Sequence, residues 1–366
     1  MTPASALVRV QLAFFQRYPI EAQVGLAAIE DASELLVLLL EGDHSIVAGR
    51  LAGGFRRMGQ PEIAGEISST MTQAGHRIRE NDPFQADQAM TAIQPRQPPI
   101  IARLTGLWGT MRGPVLARFP PAPVSEVSVD EYMRSLDDIY EQDAYHSLSI
   151  EGYQVTPELI QRVGEGQRNP ERNQADGASR DALAARGYWL AFQDVKIAVA
   201  QILNAPASAA SVIAGAHRSW YRALFQPAVG AGLLGAAELA GYRTHPVYIQ
   251  NSRHVPPRTE SMRHPMTTLF DLVAPEEEAS VRAVLGHWLL GYIHPFRDGN
   301  GRVASFLMNA MLASGGLPWT VIQTNDRDSY MRSLERASVG RDIRPFADFI
   351  AERVRRSTMK GEETVG

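Results

Sequence analysis

Residues 284–302 read VLGHWLLGYIHPFRDGNGR. An apolar helical run stops at a histidine and gives way to a short loop holding an acid, two glycines and two arginines. A loop that only packs would carry more apolar side chains, and a simple turn would need fewer functional groups. Helix-like patterns flank it on both sides: PEEEASVRAVLGHWLLGYI before, with acids at its start, and GNGRVASFLMNAMLASGG after, ending near Gly315. The loop therefore feeds the N-terminus of a helix, where unpaired backbone N–H groups and a partial positive charge favour anions. Gly299 and Gly301 allow close approach of a phosphate, and Asn300 and Arg302 add donors. Asp298 suits Mg²⁺, a hard ion held by one or two carboxylates together with phosphate oxygens. His294 can take a proton from an attacking hydroxyl, and Phe296 anchors the loop in the core. Taken singly, His294 with Pro295 also fits a helix cap, and DGNG a plain turn.

Working outward, the pattern is mainly helical. DEYMRSLDDIYEQDAYHSLSIEG predicts a helix with an acidic first turn that stops at Gly152, and TPELIQRVGEG a short helix opened by Thr156 and Pro157. GASRDALAARGYWLAFQDVKIAVAQIL carries apolar residues at three and four spacing, and DRDSYMRSLERAS and RPFADFIAERVRR close the chain as helices. GYRTHPVYIQNSRHVPP, with VYI between polar and proline residues, predicts a short β-hairpin. The expected fold class is all-α with one small β-hairpin. Prolines in 82–100 suggest a loop or arm, and the proline-rich GPVLARFPPAPVS at 113–125 is the best linker. This divides the chain into a helical N-terminal region of unassigned function (1–125), a main domain (126–358) and a disordered tail (359–366). Within the first region, AGRLAGGFRR is rich enough in glycine and alanine for close helix contact. Arg50, Arg56 and Arg57 there fit a solvated face.

The composition narrows the function. The 366 residues are 45% hydrophobic and 21% charged, a soluble globular balance with a sizeable core. There is no cysteine, which excludes disulfides, thiolate metal sites and thiol nucleophiles. A net charge of −4 provides no basic field, so no nucleic acid is expected as partner. Only two lysines stand among the basic residues, which fits a GC-rich bacterial genome. MTPASALVRVQLAFFQRYP lacks a secretory pattern, and the longest apolar run, LLVLLL, is too short for a bilayer. No membrane partner and a cytoplasmic location are expected.

The loop resembles the signature of the Fic (Fic/Doc) family, His-x-Phe-x-Asp/Glu-Gly-Asn-Gly-Arg-x-x-Arg, which HPFRDGNGR matches through its first arginine. SLSIEG at 147–152 is similar to the family's inhibitory motif, with Ser147, Glu151 and Gly152 at its positions and an N-terminal inhibitory helix implied. The resemblance spans about 130–350. It implies the Fic fold and transfer of AMP from ATP to a Ser, Thr or Tyr hydroxyl of a target protein. His294 would be the base and Asp298 the Mg²⁺ ligand, while Gly299, Asn300, Gly301 and Arg302 would hold phosphates. It implies that the hairpin is a flap, with Val247, Tyr248 and Ile249 docking the target by strand addition. Tyr330 would line the base pocket, although core packing accounts for it too. A homo-oligomer stays open.

The family's second arginine falls at position 305, where this chain has serine. Ser305 offers one neutral hydrogen bond in place of a charged grip on the γ-phosphate. Glu151 then lacks its expected ion-pair partner, so inhibition must be steric, use Arg302, or be weaker. Ser305 leaves three alternatives to AMP transfer: AMP removal, use of another phosphate donor, and a non-enzymatic nucleotide-binding regulator.

Overall fold

The computed structural model describes residues 2–84, 99–119, 128–166, 179–257 and 261–365. The expected boundary at 125 lies outside them. The chain forms two compact units. One comprises Met1–Pro98, Gly232–His245 and Thr259–His264; the other comprises Pro99–Ala231, Pro246–Arg258 and Pro265–Gly366.

Among the described residues, six α-helices build the first unit: α1 (Pro3–Arg9), α2 (Leu12–Arg17), α3 (Pro19–Ala27), α4 (Ser33–Glu41), α5 (Ser45–Arg57) and α6 (Pro61–Gln73). Their core gathers Phe15, Leu26, Leu36, Leu39, Leu51, Phe55 and Ile67, all fully buried. The glycines of α5 do receive a close neighbour, though it is an extended segment rather than a helix. A Cβ on Gly49 would stand 2.1 Å from the Arg79 carbonyl oxygen, and one on Gly53 2.2 Å from that of Asn81. Arg56 and Arg57 are exposed, as a solvated face requires, while Arg50 is half-buried. Arg50 donates to the Val10 carbonyl at 2.6 Å, and Arg56 forks onto Glu80 at 2.7 and 2.8 Å.

The second unit contains α7 (Pro99–Leu116), α8 (Val129–Ile150), α9 (Pro157–Gly164), α10 (Arg180–Asn204), α11 (Ala209–Gly230), α12 (Arg263–Val273, from its third residue), α13 (Ala279–Ile293), α14 (Asn300–Ala313), α15 (Arg327–Gly340) and α16 (Arg344–Val365). Pro114 lies inside α7, so the first residues of the expected linker are helical. Hydroxyl caps open three helices: Ser128 accepts from the Glu131 amide, Thr156 from that of Leu159 and Ser179 from that of Ala182. α16 continues to Val365, through the expected tail. Gly361, its one weak helix former there, costs only about 1 kcal/mol relative to alanine.

No strand occurs among the described residues, so the expected β-hairpin is absent. Residues 246–257 instead make a single turn, with the Ser252 amide bonding the Ile249 carbonyl at 3.2 Å and Asn251 at φ 60°. The amides that a return strand would offer are taken by side chains: Arg253 N–H by Glu335 and His254 N–H by Ser252 Oγ. Three β-formers flanked by His245-Pro246 and Pro256-Pro257 cannot outweigh those bonds.

Three of these elements position the site. Helices α13 and α14 pack against each other, and the loop joins them. α8 is pinned along its length: Tyr132 Oη donates to the Leu317 carbonyl at 3.1 Å, Tyr188 Oη to Asp143 at 2.7 Å, and Arg327 Nε to the Ile150 carbonyl at 3.0 Å.

Candidate active site

The apolar run of α13 ends at His294, which takes the left-handed conformation (φ 52°, ψ 60°) and closes the helix by donating its amide to the Leu290 carbonyl. A non-glycine residue in that region is uncommon, and such strain concentrates where geometry serves a purpose. Five residues on, the loop turns again at Gly299 (φ 72°), the N-cap of α14. A Cβ there would press within 2.9 Å of the Phe225 ring, so glycine is needed on both counts. Between these two bends Phe296 is fully buried and stacks on Tyr221 with centroids 4.3 Å apart.

Asn300 works inward. Its Oδ1 accepts from the Phe296 amide and its Nδ2 donates to the Phe296 carbonyl, each at 2.9 Å. The side chain clamps the loop across four residues and satisfies two buried backbone groups. Asp298 points outward, with its side chain 64% exposed; it accepts from the Gly299 amide at 2.7 Å. No cluster of three or more metal-ligating side chains occurs among the described residues. A single outward carboxylate beside a helix N-terminus still fits Mg²⁺, which keeps its waters and takes the rest of its ligands from phosphates.

Arg302 is 2% exposed, its guanidinium 5.4 Å from the Tyr153 ring centroid and 5.1 Å from that of Phe225. The rings hold its plane by cation–π attraction and exclude water. Its Nε stands 2.5 Å from Glu151 Oε2, and a Cβ on Gly301 would meet Glu151 Oε1 at 3.0 Å. Glu151 thus sits over the exposed amides of the first turn of α14, on the surface suited to a phosphate. Burial pushes its carboxyl above the usual carboxylate range, against the opposing pull of Arg302. Burial lowers the basicity of Arg302, but Glu151, Tyr153 and Asp298 together outweigh that effect and raise it above the ordinary arginine value.

Gly152 (φ 89°) ends α8 directly after Glu151, with its amide on the Ser149 carbonyl at 3.0 Å. Ser147, one turn earlier, accepts from Tyr188 Oη at 3.1 Å. Ser305 lies one turn along α14 from Arg302 and lines a small cavity with Asp143, Ser147, Glu151, Thr320 and Tyr330. Among the described residues, Arg302 is the only cationic side chain lining it. Asp143 is buried, and that burial pushes its carboxyl up to about 6 although Tyr188 bonds it. Tyr330 is buried and its hydroxyl bonds His287 Nε2 at 2.8 Å, so it touches the cavity while packing in the core. Val247, Tyr248 and Ile249 lie on the turn segment described above, with Tyr248 72% exposed.

Residues 208–312, which run from α11 through α14, match the family model described as the Fic/DOC family. That stretch is similar to the Fic/DOC family. The chain is similar to the protein named Protein adenylyltransferase Fic of Nematostella vectensis, 32% identical over 231 residues, covering 60% of this chain and 48% of that protein. The like-named protein of Drosophila willistoni is 32% identical over 224 residues, covering 60% and 41%. The chain therefore spans less than half the length of these curated relatives. A solved Fic family protein from Desulfovibrio desulfuricans G20 superposes with a TM-score of 0.48 at 21% identity, covering 74% of this chain and 77% of that one.

Several residues around this loop leave no mark in the sequence pattern. Tyr153 and Phe225, which flank Arg302, leave no local pattern. Asp143 carried a signal that was available, since it precedes Ser147 by four residues and so shares its helix face.

Proposed function

We propose that this chain is a protein adenylyltransferase, transferring AMP from ATP to a hydroxyl of a target protein, and that Glu151 restrains it. The observation that carries this reading is the Glu151 carboxylate on Arg302 at the N-terminus of α14, beside the strained His294. An acid in that place occupies the surface a phosphate would use, and the curated relatives share the name adenylyltransferase.

In this reading His294 takes the proton of the attacking hydroxyl, which adds to the α-phosphorus as the bond to pyrophosphate breaks. The amides of the first turn of α14 and the guanidinium of Arg302 hold the phosphate oxygens once Glu151 withdraws. Asn300 keeps the loop closed through Phe296. Asp298 would hold Mg²⁺, which supplies charge neutralisation at the phosphates. The exposed segment around Tyr248 receives the target. Because Ser305 brings no charge, Arg302 serves both partners in turn: inhibitor and nucleotide compete for one guanidinium. The protein acts in the cytoplasm.

Incubation with labelled ATP and Mg²⁺, read by mass spectrometry, tests this. AMP on serine, threonine or tyrosine, greater in Glu151→Gly and lost in His294→Ala, is the expected result. No AMP addition by Glu151→Gly, or addition unaffected by His294→Ala, overturns it.

A further inference from the structure

The turn at 249–252 is held by a side chain far away in sequence. Glu335, on α15, receives the Ser252 hydroxyl on Oε2 at 2.5 Å and the Arg253 amide on Oε1 at 2.9 Å. Both carboxylate oxygens are used, and Arg253 Nε adds a longer charge contact at 3.9 Å. Charge-assisted bonds of this kind are stronger than neutral ones and fix geometry. Next in sequence, His254 is 8% exposed, its Nε2 lies 2.8 Å from the Tyr292 carbonyl, and its ring lies 4.3 Å from that of Tyr292. That carbonyl belongs to the last turn of α13, where carbonyls lack helical partners, two residues before His294.

A segment without strand partners has few reasons to hold one shape. Two helices outside the segment supply the shape, α15 through Glu335 and α13 through the Tyr292 carbonyl that receives His254. The exposed apolar side chains Tyr248 (72%) and Val255 (53%) flank the anchored turn. We infer that Glu335 and His254 are positioning residues for the acceptor protein: they preform residues 246–257 as a docking edge and register it against His294. This rests on the adenylyltransferase reading of the site.

The inference separates acceptor binding from nucleotide binding. An edge that is ordered only part of the time weakens apparent acceptor affinity by the ordered fraction, leaving bound complexes to react normally. The test uses full-length Glu151→Gly as enzyme and a His294→Ala copy of the chain as acceptor at varied concentration. Adding Glu335→Ala is expected to raise KM for the acceptor about ten-fold, with kcat and ATP affinity within about two-fold. Glu335→Gln, which keeps one acceptor oxygen, is expected in between, and His254→Gln, which keeps a donor, is expected to exceed His254→Leu. An unchanged acceptor KM overturns the inference, as does ATP affinity falling in step with it. Should Glu335→Ala fail to fold, Glu335→Gln carries the same test.

Amide exchange at Ser252–His254, measured in the chain with its native Glu151, is independent of turnover. Faster exchange in Glu335→Ala supports the clamp; unchanged exchange overturns it. Absence of any transfer by Glu151→Gly would instead count against the adenylyltransferase reading and leave the exchange result standing.

Discussion

Arg302 and Glu151 form an ion pair at 2.5 Å, with the buried arginine held between two aromatic rings and the partly exposed glutamate at the last step of a helix. Removing one member of such a pair leaves a buried charge uncompensated. Glu151→Gly is therefore expected to lose about 3 kcal/mol of stability without nucleotide and to regain part of it with ATP. AMP transfer is expected to rise by between about 5- and 150-fold, the range of typical site coupling. Thermal unfolding with and without ATP, beside labelled-ATP incorporation, checks both.

Ser305→Arg places a guanidinium in a cavity that already holds Asp143 and Glu151. With Glu151 present, the added charge is expected to hold that acid more firmly and reduce AMP transfer. In the Glu151→Gly background, the same change is expected to tighten ATP binding about ten-fold, through one charge-assisted contact of roughly 1.5–3 kcal/mol. Calorimetric titration of ATP into both backgrounds distinguishes the two signs.

Asp143 gives stability a pH dependence of known direction. Its folded value of about 6 lies above the ordinary 3.8 because burial disfavours the charge. The folded chain binds this proton more tightly than the unfolded chain, so stability falls as pH rises from about 4 to about 6. The full effect is on the order of 3 kcal/mol. Asp143→Asn keeps an acceptor for Tyr188 and lacks the ionisation. Its stability relative to the wild type is expected to improve across that window and level off above it, measured by denaturant unfolding at successive pH values.

Asn300 closes the loop from within, through two bonds to the Phe296 backbone. Asn300→Ala orphans a buried N–H and a buried C=O, at about 1–3 kcal/mol each. Thermal unfolding of the nucleotide-free chain is expected to show the loss, which a role confined to holding phosphate would not produce.

Much of this architecture was legible in the chain. Ser128, Thr156 and Ser179 each sit before an apolar period, and each caps the helix that follows. Gly152 and Gly299 are placed where the backbone turns left-handed, which glycine alone adopts without cost. The hairpin was not legible, because VYI has strand propensity but the amides opposite it are claimed by Glu335 and Ser252, far away or side-chain partners that no local pattern records. The aromatic slot around Arg302 was hidden for the same reason: Tyr153 and Phe225 come from separate elements. Asn300 was read as facing a ligand, and its spacing to Phe296 does not reveal that both ends of its amide turn inward.

The end of α8 has one further consequence. Arg327 grips the Ile150 carbonyl, while Gly152 next but one can rotate freely in either hand. If Glu151 restrains the site as proposed, it does so as a latch between a fixed root and a swivel. Opening it demands a few dihedral rotations and no melting of the helix behind, so the rest of α8 keeps its packing whether the latch is shut or thrown.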